Sequence, residues 1–215
     1  MTERFLAETT FIDKSHPSIV ACVASLDLDG LPAAEKARRI FRFVRDEIRY
    51  EFMAKFTRAE YVASNVLSEG KGFCVQKAVL LAALARRAGV PTALVLCDMR
   101  DHTLSPKLVA AIGTNVMHHH GLSALHLEGE WLRVDASLTP AVLEKKRTPV
   151  VTFDGEHDAL LSPTTLEGTP HVDYLVFHGT YDDLPFEPMI AAFASAYRDA
   201  DLGKLVEMGL KRASP

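Results

Sequence analysis

The stretch that most constrains this chain is FCVQKAVLLAALARRA, residues 73–88. It is apolar over most of its length, is stopped by Gly89 and the Val90-Pro91 pair, and opens on a cysteine just behind Gly70 and Gly72. The pattern predicts a long buried helix with a clear stop. Cys74 lines up with Ala78, Leu81, Ala85 and Ala88 on one side of that helix. Its side chain therefore begins the inward stripe within the first turn, where unpaired backbone N–H groups and the helix dipole favour an anion. A thiolate is favoured there, and the two glycines leave room for a substrate beside the sulfur. From position alone, a nucleophile and a packing cysteine both fit.

Other elements can be arranged around this helix. HPSIVACVASL (16–26) has a possible cap at Ser15, Pro17 near its start and the apolar spacing of a short helix. In PAAEKARRIFRFVRDEIRY (32–50), Ala33, Ala37, Ile40, Phe41, Val44 and Ile48 recur at threes and fours, while Arg38, Arg39, Arg42 and Arg45 take the other side. That predicts an amphipathic helix. A helical turn is possible at ASNVL (63–67), and TALVLC (92–97) should be a strand. DMRDHTLSPKL (98–108) reads as a polar loop. NVMHHHGLSALHL and EWLRVDASL form two strands about a tight turn at Glu128-Gly129, with further strands expected in PVVTFDG (149–155) and HVDYLVFHG (171–179). Residues 187–213 should be mostly helical.

Helices lead, strands cluster and a helix closes the chain. The expectation is therefore an α+β fold, with N-terminal helices packed on an antiparallel sheet. It is expected to be one domain over 1–215: a helical part to about residue 90, a mainly β part over about 91–180, and a C-terminal helical extension over about 187–213.

The 215 residues are 48% hydrophobic and 24% charged, with a formal net charge of -4. Such a balance supports a packed core and gives no reason to expect nucleic acid or a membrane as partner. No signal-peptide-like or membrane-spanning apolar run is present, and three cysteines without paired spacing argue against a disulfide scaffold. A reducing cytoplasm is the expected compartment.

A thiol nucleophile needs an imidazole base, and the base needs an orienting carboxylate. If Glu128 and Gly129 form a two-residue turn, Leu127 pairs with Glu130, Trp131 lies opposite His126 and Asp135 lies opposite Leu122. His120, two residues along on the same face, then lies within diagonal reach of Asp135. Cys74, His120 and Asp135 are thus candidates for a catalytic constellation. The run His118-His119-His120 invites a metal reading, but in a regular strand only His118 and His120 share a face. A third ligand would have to come from His102, His126, His171 or Asp98. With no HExxH and no close Cys/His pairing, no metal and no cofactor are expected.

These motifs are familiar together. GFCVQKAVLLAALARRAGVPTAL resembles the cysteine motif of the transglutaminase-like superfamily, and HGLSALHLEGEWLRVD resembles its His…Gly-x-Trp…Asp motif. FRFVRDEIRY with Tyr50 is similar to the segment preceding the cysteine motif, and the later stretches resemble small bacterial members. The resemblance implies a papain-like core with Cys74 as nucleophile, His120 as base and Asp135 as its orienting acid. Two departures stand out: His120-Gly121-Leu122 replaces the frequent His-Ala-Trp, and Val75 follows the cysteine where peptide N-glycanase-like members have Cys-Gly-Glu. Calcium loops and extra sandwich domains have no place in this chain.

The implied chemistry is acyl transfer through a thioester on a peptide, protein or small amide. Water as acceptor would make a protease or amidase, an amine a transferase, and a non-catalytic scaffold that kept the fold is the rival. Asn65 is a candidate second oxyanion donor. Asp98, Arg100 and His102 are candidates for lining the substrate groove. The oligomeric state is not legible.

Overall fold

The computed structural model describes residues 2–52, 55–201 and 203. In chain order the elements are α1 (Pro17–Ser25), α2 (Ala33–Glu47), β1 (Arg49–Tyr50), α3 (Ala63–Glu69), β2 (Lys71–Gly72), α4 (Cys74–Arg87), β3 (Thr92–Asp101), α5 (Pro106–Ile112), β4 (Val116–Leu127), β5 (Glu130–Val134), α6 (Pro140–Lys145), β6 (Val172–Tyr181) and α7 (Phe186–Ala196). The main sheet is antiparallel with strand order β5-β4-β3-β6, and β1 and β2 form a separate parallel pair. The architecture is the expected α+β one, with helices set against an antiparallel sheet. Among the described residues, no helix is long and apolar enough to cross a membrane.

Helix α4 is buried on every side from Cys74 through Arg86. A helix apolar all round can be stable only with packing on all sides, and α1, α2, α3, β3 and β4 supply it. Its few polar side chains are spent on holding those neighbours. The Lys77 ammonium donates to the carbonyls of Ile48 (2.7 Å) and Arg45 (3.3 Å), satisfying the open C-terminal end of α2. Burial alone would strip its charge, and it lowers the amine to about 7. Arg86 donates to the carbonyls of Thr92, Ala7 and Asp182, tying three distant segments to the far end of α4.

The amphipathic reading of α2 is correct for Ala37, Ile40, Phe41 and Val44, all buried. Arg45 is a correction. Rather than facing water with the other arginines, it is buried, lies over the Phe41 ring and donates to the Val151 carbonyl. A long side chain can bury its stem provided its head finds a carbonyl.

The turn at Glu128-Gly129 has positive φ at both residues, +49° and +94°, as a tight hairpin with twisted strands requires. The pairing follows: Leu127 with Glu130, His126 with Trp131, and Ser123 with Val134.

Two expectations fail. The loop expected over 98–108 is not a loop: β3 continues to Asp101, paired with β4 on one side and β6 on the other, and α5 follows. Ser105 caps α5, accepting the Leu108 N–H at 3.2 Å, with Pro106 at its start and Gly113 at its end. Residues 149–155 form no strand. Their alternation is real, with Val151 and Phe153 buried, but Phe153 packs on Phe41 of α2, with ring centroids 5.8 Å apart, instead of joining a ladder. The helix expected from residue 187 begins at Phe186 and ends at Ala196, and its expected continuation over 204–213 lies outside the described residues.

Candidate active site

Cys74 occupies the first position of α4, and the turn before it is clamped by Gln76. The Gln76 carbonyl oxygen accepts the Phe73 N–H at 3.1 Å, and its amide donates to the Glu60 carbonyl at 2.6 Å. Gly72 eases the packing here, since a Cβ would lie 3.0 Å from Gln76 Cβ. Gln76 was not singled out from sequence, although a glutamine three residues after a helix cap is a recognised capping signal.

Strand β4 approaches this helix end unusually closely. At Gly121 an added Cβ would stand 2.5 Å from Val75 Cα and 2.8 Å from Val75 N. No side chain fits. Gly121 thus brings the strand backbone onto the first turn of α4, and the residue before it, His120, comes beside Cys74. The departure from His-Ala-Trp noted in the sequence therefore accompanies a tight helix–strand contact.

His120 Nε2 and Asp135 Oδ2 are 2.7 Å apart, and both side chains are essentially excluded from solvent. Asp135 lies one residue beyond β5, held by its N–H to the Ala159 carbonyl at 2.8 Å. Its Oδ1 accepts the Ser137 N–H at 3.0 Å. Tyr174 of β6 donates its hydroxyl to Asp135 Oδ2 at 3.0 Å and accepts the Leu161 N–H at 3.1 Å. The bond from Tyr174 to Asp135 crosses from a strand distant in sequence.

The Cys74 side chain lies close enough to His120 to act on its charge. With Nε2 engaged by Asp135, Nδ1 is the ring nitrogen left for the sulfur. Burial opposes a charge on His120, but Asp135 and then Cys74 outweigh it and hold the imidazole well above its usual range. Asp135 is opposed by burial in the same way, and His120 and Ser137 keep it below the ordinary carboxylate value. The buried group is thus an ion-pair chain, carboxylate to imidazolium. The other cysteines have no comparable setting. Burial pushes Cys97 up to about 12, and it also raises the half-buried Cys22.

Tyr50 pairs with Gly72 across the small parallel ladder. Burial and then the charge of Cys74 push its phenol well above the usual range.

The oxyanion candidate and the three groove candidates have separate partners, except that two of them share one. The Asn65 amide donates to the Ala59 carbonyl at 2.8 Å on the exposed side of α3. Arg100 and His102 both turn to Asp173 of β6, at 3.9 and 2.8 Å. Asp98 joins a separate cluster: His118 Nδ1 lies 3.0 Å from its Oδ2, and His178 Nε2 2.7 Å from its Oδ1.

That cluster corrects the expected strand parity. Cys97 pairs with His120 and Met99 with Met117, so His118 and His119 together oppose Asp98 in a β-bulge. His119 has φ +51° there. The bulge turns His118 and His119 toward Asp98 while His120 goes to Asp135.

A family model described as the transglutaminase-like superfamily matches residues 22–136, a span holding Cys74, His120 and Asp135. No curated protein matches the chain. Among solved structures, a candidate cysteine protease from Cytophaga hutchinsonii superposes with a TM-score of 0.53 at 17% identity, over 86% of this chain and 48% of that one. A candidate protease from Parabacteroides distasonis ATCC 8503 superposes with a TM-score of 0.41 at 13% identity, over 63% of this chain and 25% of that one. The chain therefore spans about half the length of the first and a quarter of the second. At 17% identity the first likeness is one of fold alone, and the second overlap is too loose to establish even that.

Proposed function

The chain belongs to the transglutaminase-like superfamily, and on that premise we propose that it is a cysteine-dependent acyl-transfer enzyme that hydrolyses an amide or peptide bond through a thioester. One observation carries the reading: His120 is hydrogen-bonded to Asp135 and interacts with the charge of Cys74, in a buried group at the N-terminus of α4.

In the first step, with the proton already held on His120, the sulfur of Cys74 attacks the substrate carbonyl, forming a C–S bond. Negative charge moves to the carbonyl oxygen. The Cys74 N–H, one of the unpaired donors of the first helical turn, is placed to receive it. The intermediate collapses with cleavage of the C–N bond, and the imidazolium gives its proton to the leaving amine. Water, deprotonated by His120, then attacks the thioester. The acid leaves, and the proton stays on His120, restoring the starting state. Asp135 keeps the ring oriented and offsets its charge throughout; Tyr174 and the Ser137 N–H fix Asp135.

Water is favoured as acceptor because it needs no second substrate pocket. The residues next to Cys74, among them Ala78, Leu81, Gly121, Leu122, Ser123 and Ala136, include no charged group to hold a second substrate. A labelled glutamine peptide, followed with and without excess primary amine, tests this. Release of ammonia and the free acid without amine is expected. Product formed only with amine would replace hydrolysis by transfer.

A further inference from the structure

His119 is adjacent to the proposed base yet takes no part in its chemistry, and its surroundings are hard to explain as packing. Its backbone lies at φ +51°, a region that residues with side chains seldom occupy. That conformation turns its ring to the same side as the carboxylate of Asp98, on β3, and the imidazole of His178, on β6. The His119 and His178 rings stack with centroids 4.3 Å apart and planes inclined by 12°.

The hydrogen bonds in the cluster account for every member but one. Asp98 Oδ1 receives the His119 N–H at 3.0 Å and faces His178 Nε2 at 2.7 Å, while its Oδ2 faces His118 Nδ1 at 3.0 Å. His119 Nδ1 is buried, has no hydrogen-bond partner and stands 4.0 Å from Asp98 Oδ1. A purely structural network would leave this nitrogen orphaned at a bulge that exists to deliver it.

We propose that Asp98, His119 and His178 form a binding site for a divalent transition-metal ion such as zinc. One nitrogen or oxygen from each of the three lies within 4.8 Å of the others. A tetrahedral ion with bonds of about 2.0–2.1 Å needs its ligands roughly 3.3 Å apart, so the cluster closes on an ion with side-chain shifts alone. Two imidazoles and a carboxylate suit zinc, iron(II) or nickel better than calcium or magnesium. His118 bonds the carboxylate oxygen away from His119 and acts as a positioning residue, as outer partners of metal-bound carboxylates do. Phe193 and Tyr197 wall the site: Phe193 meets the His119 ring edge-on at 6.2 Å, and the Tyr197 hydroxyl accepts the His118 N–H at 2.9 Å. Three protein ligands leave a fourth position for water or another small donor.

The proposal does not depend on the cysteine chemistry, and the experiment keeps the two apart. Chelator-treated full-length protein is titrated with zinc by calorimetry and with cobalt(II) by absorption. One ion per chain is expected in the wild type and equally in Cys74→Ala, with ligand-field bands and no thiolate charge-transfer band. Affinity should fall at least 100-fold in His119→Ala and in His178→Ala, and about tenfold or more in His118→Ala. His178 is partly exposed on an edge strand, so its variant keeps the fold and decides the matter if His119→Ala does not. Absence of saturable binding to the wild type would overturn the site. So would unchanged affinity in His178→Ala, or binding lost on replacing Cys74.

Discussion

Adjacent histidines on one strand meet two opposite fates in this molecule. His120 enters a buried group in which its Nε2 is paired with Asp135 and the ring interacts with the charge of Cys74. His119 enters a part-exposed cluster in which one ring nitrogen has none. Both clusters pair imidazole with a carboxylate, so residue type does not separate them. What separates them is how they are held. Asp135 is fixed by Tyr174, Ser137 and Ala159, and Gly121 presses His120 onto the nucleophile helix. Asp98 is approached by three histidine residues from two strands, with a bulge between them. A buried ion pair can hold a proton at a stated atom, whereas a partly partnered cluster has a lone pair left over for a ligand.

The contrast breaks most decisively at the sulfur and its base. Cys74→Ala or His120→Ala should lower amide hydrolysis by about 10⁴-fold or more. The far-UV circular dichroism should not change. A variant of either residue that keeps even a tenth of the activity would remove the contrast.

Gly121→Ala tests whether close approach of the strand is what separates the two histidines. The added methyl meets the Val75 backbone, so β4 and α4 must part, at a cost of about 1–3 kcal/mol in stability. A misplacement of about 1 Å should lower the rate on the order of 100-fold. Kinetics alongside urea unfolding would read both effects, and an alanine variant with wild-type activity would show that the glycine matters only for packing.

Asp135 distinguishes charge from hydrogen bonding. Asp135→Ala leaves His120 buried and uncompensated and should cost about 3–5 kcal/mol, whereas Asp135→Asn keeps an acceptor and should recover part of the activity. His120 is raised on folding, so its contribution is complete below about pH 6.5 and is lost as pH rises through the folded value. Asp135 is lowered on folding, so its contribution is complete above about pH 3.9 and is lost as pH falls through the folded value. The gap in unfolding free energy between wild type and Asp135→Ala should therefore be widest between about pH 4 and 6.5. It should narrow in strongly alkaline buffer, and a gap independent of pH would rule out the ion pair.

The smallest effect belongs to Tyr174→Phe, which removes one hydroxyl donor from Asp135. A loss of about fivefold in rate, equivalent to about 1 kcal/mol, is expected, with the fold and zinc affinity unaltered. A loss as large as that of Asp135→Ala would make Tyr174 more than a positioning residue.

Much of this was legible because it depends on short-range rules. The two-residue turn at Glu128-Gly129 set the hairpin register, and the register put His120 near Asp135. The phase of α4 put Cys74 at its inward start. What was hidden depends on partners distant in sequence. Arg45 could be buried only because Val151, more than a hundred residues away, offers a carbonyl. Tyr174 reaches Asp135 from a separate strand, and the polar run 98–101 is a strand because β4 and β6 flank it. The bulge at His118-His119 leaves no mark in the alternation of residues, and it sets Asp98 opposite two histidines. The Ser105-Pro106…Gly113 signal of α5 was present and passed over in favour of a loop.

The central claim is that Cys74 carries the acyl group while His120 moves the proton. The most direct measurement is mass spectrometry of acid-quenched protein after brief exposure to a p-nitrophenyl acyl ester. The account predicts one acyl adduct on the Cys74 peptide, none on Cys22 or Cys97, and loss of that adduct in His120→Ala. Acylation elsewhere in the chain, or an adduct on Cys74 that forms equally fast without His120, would contradict it.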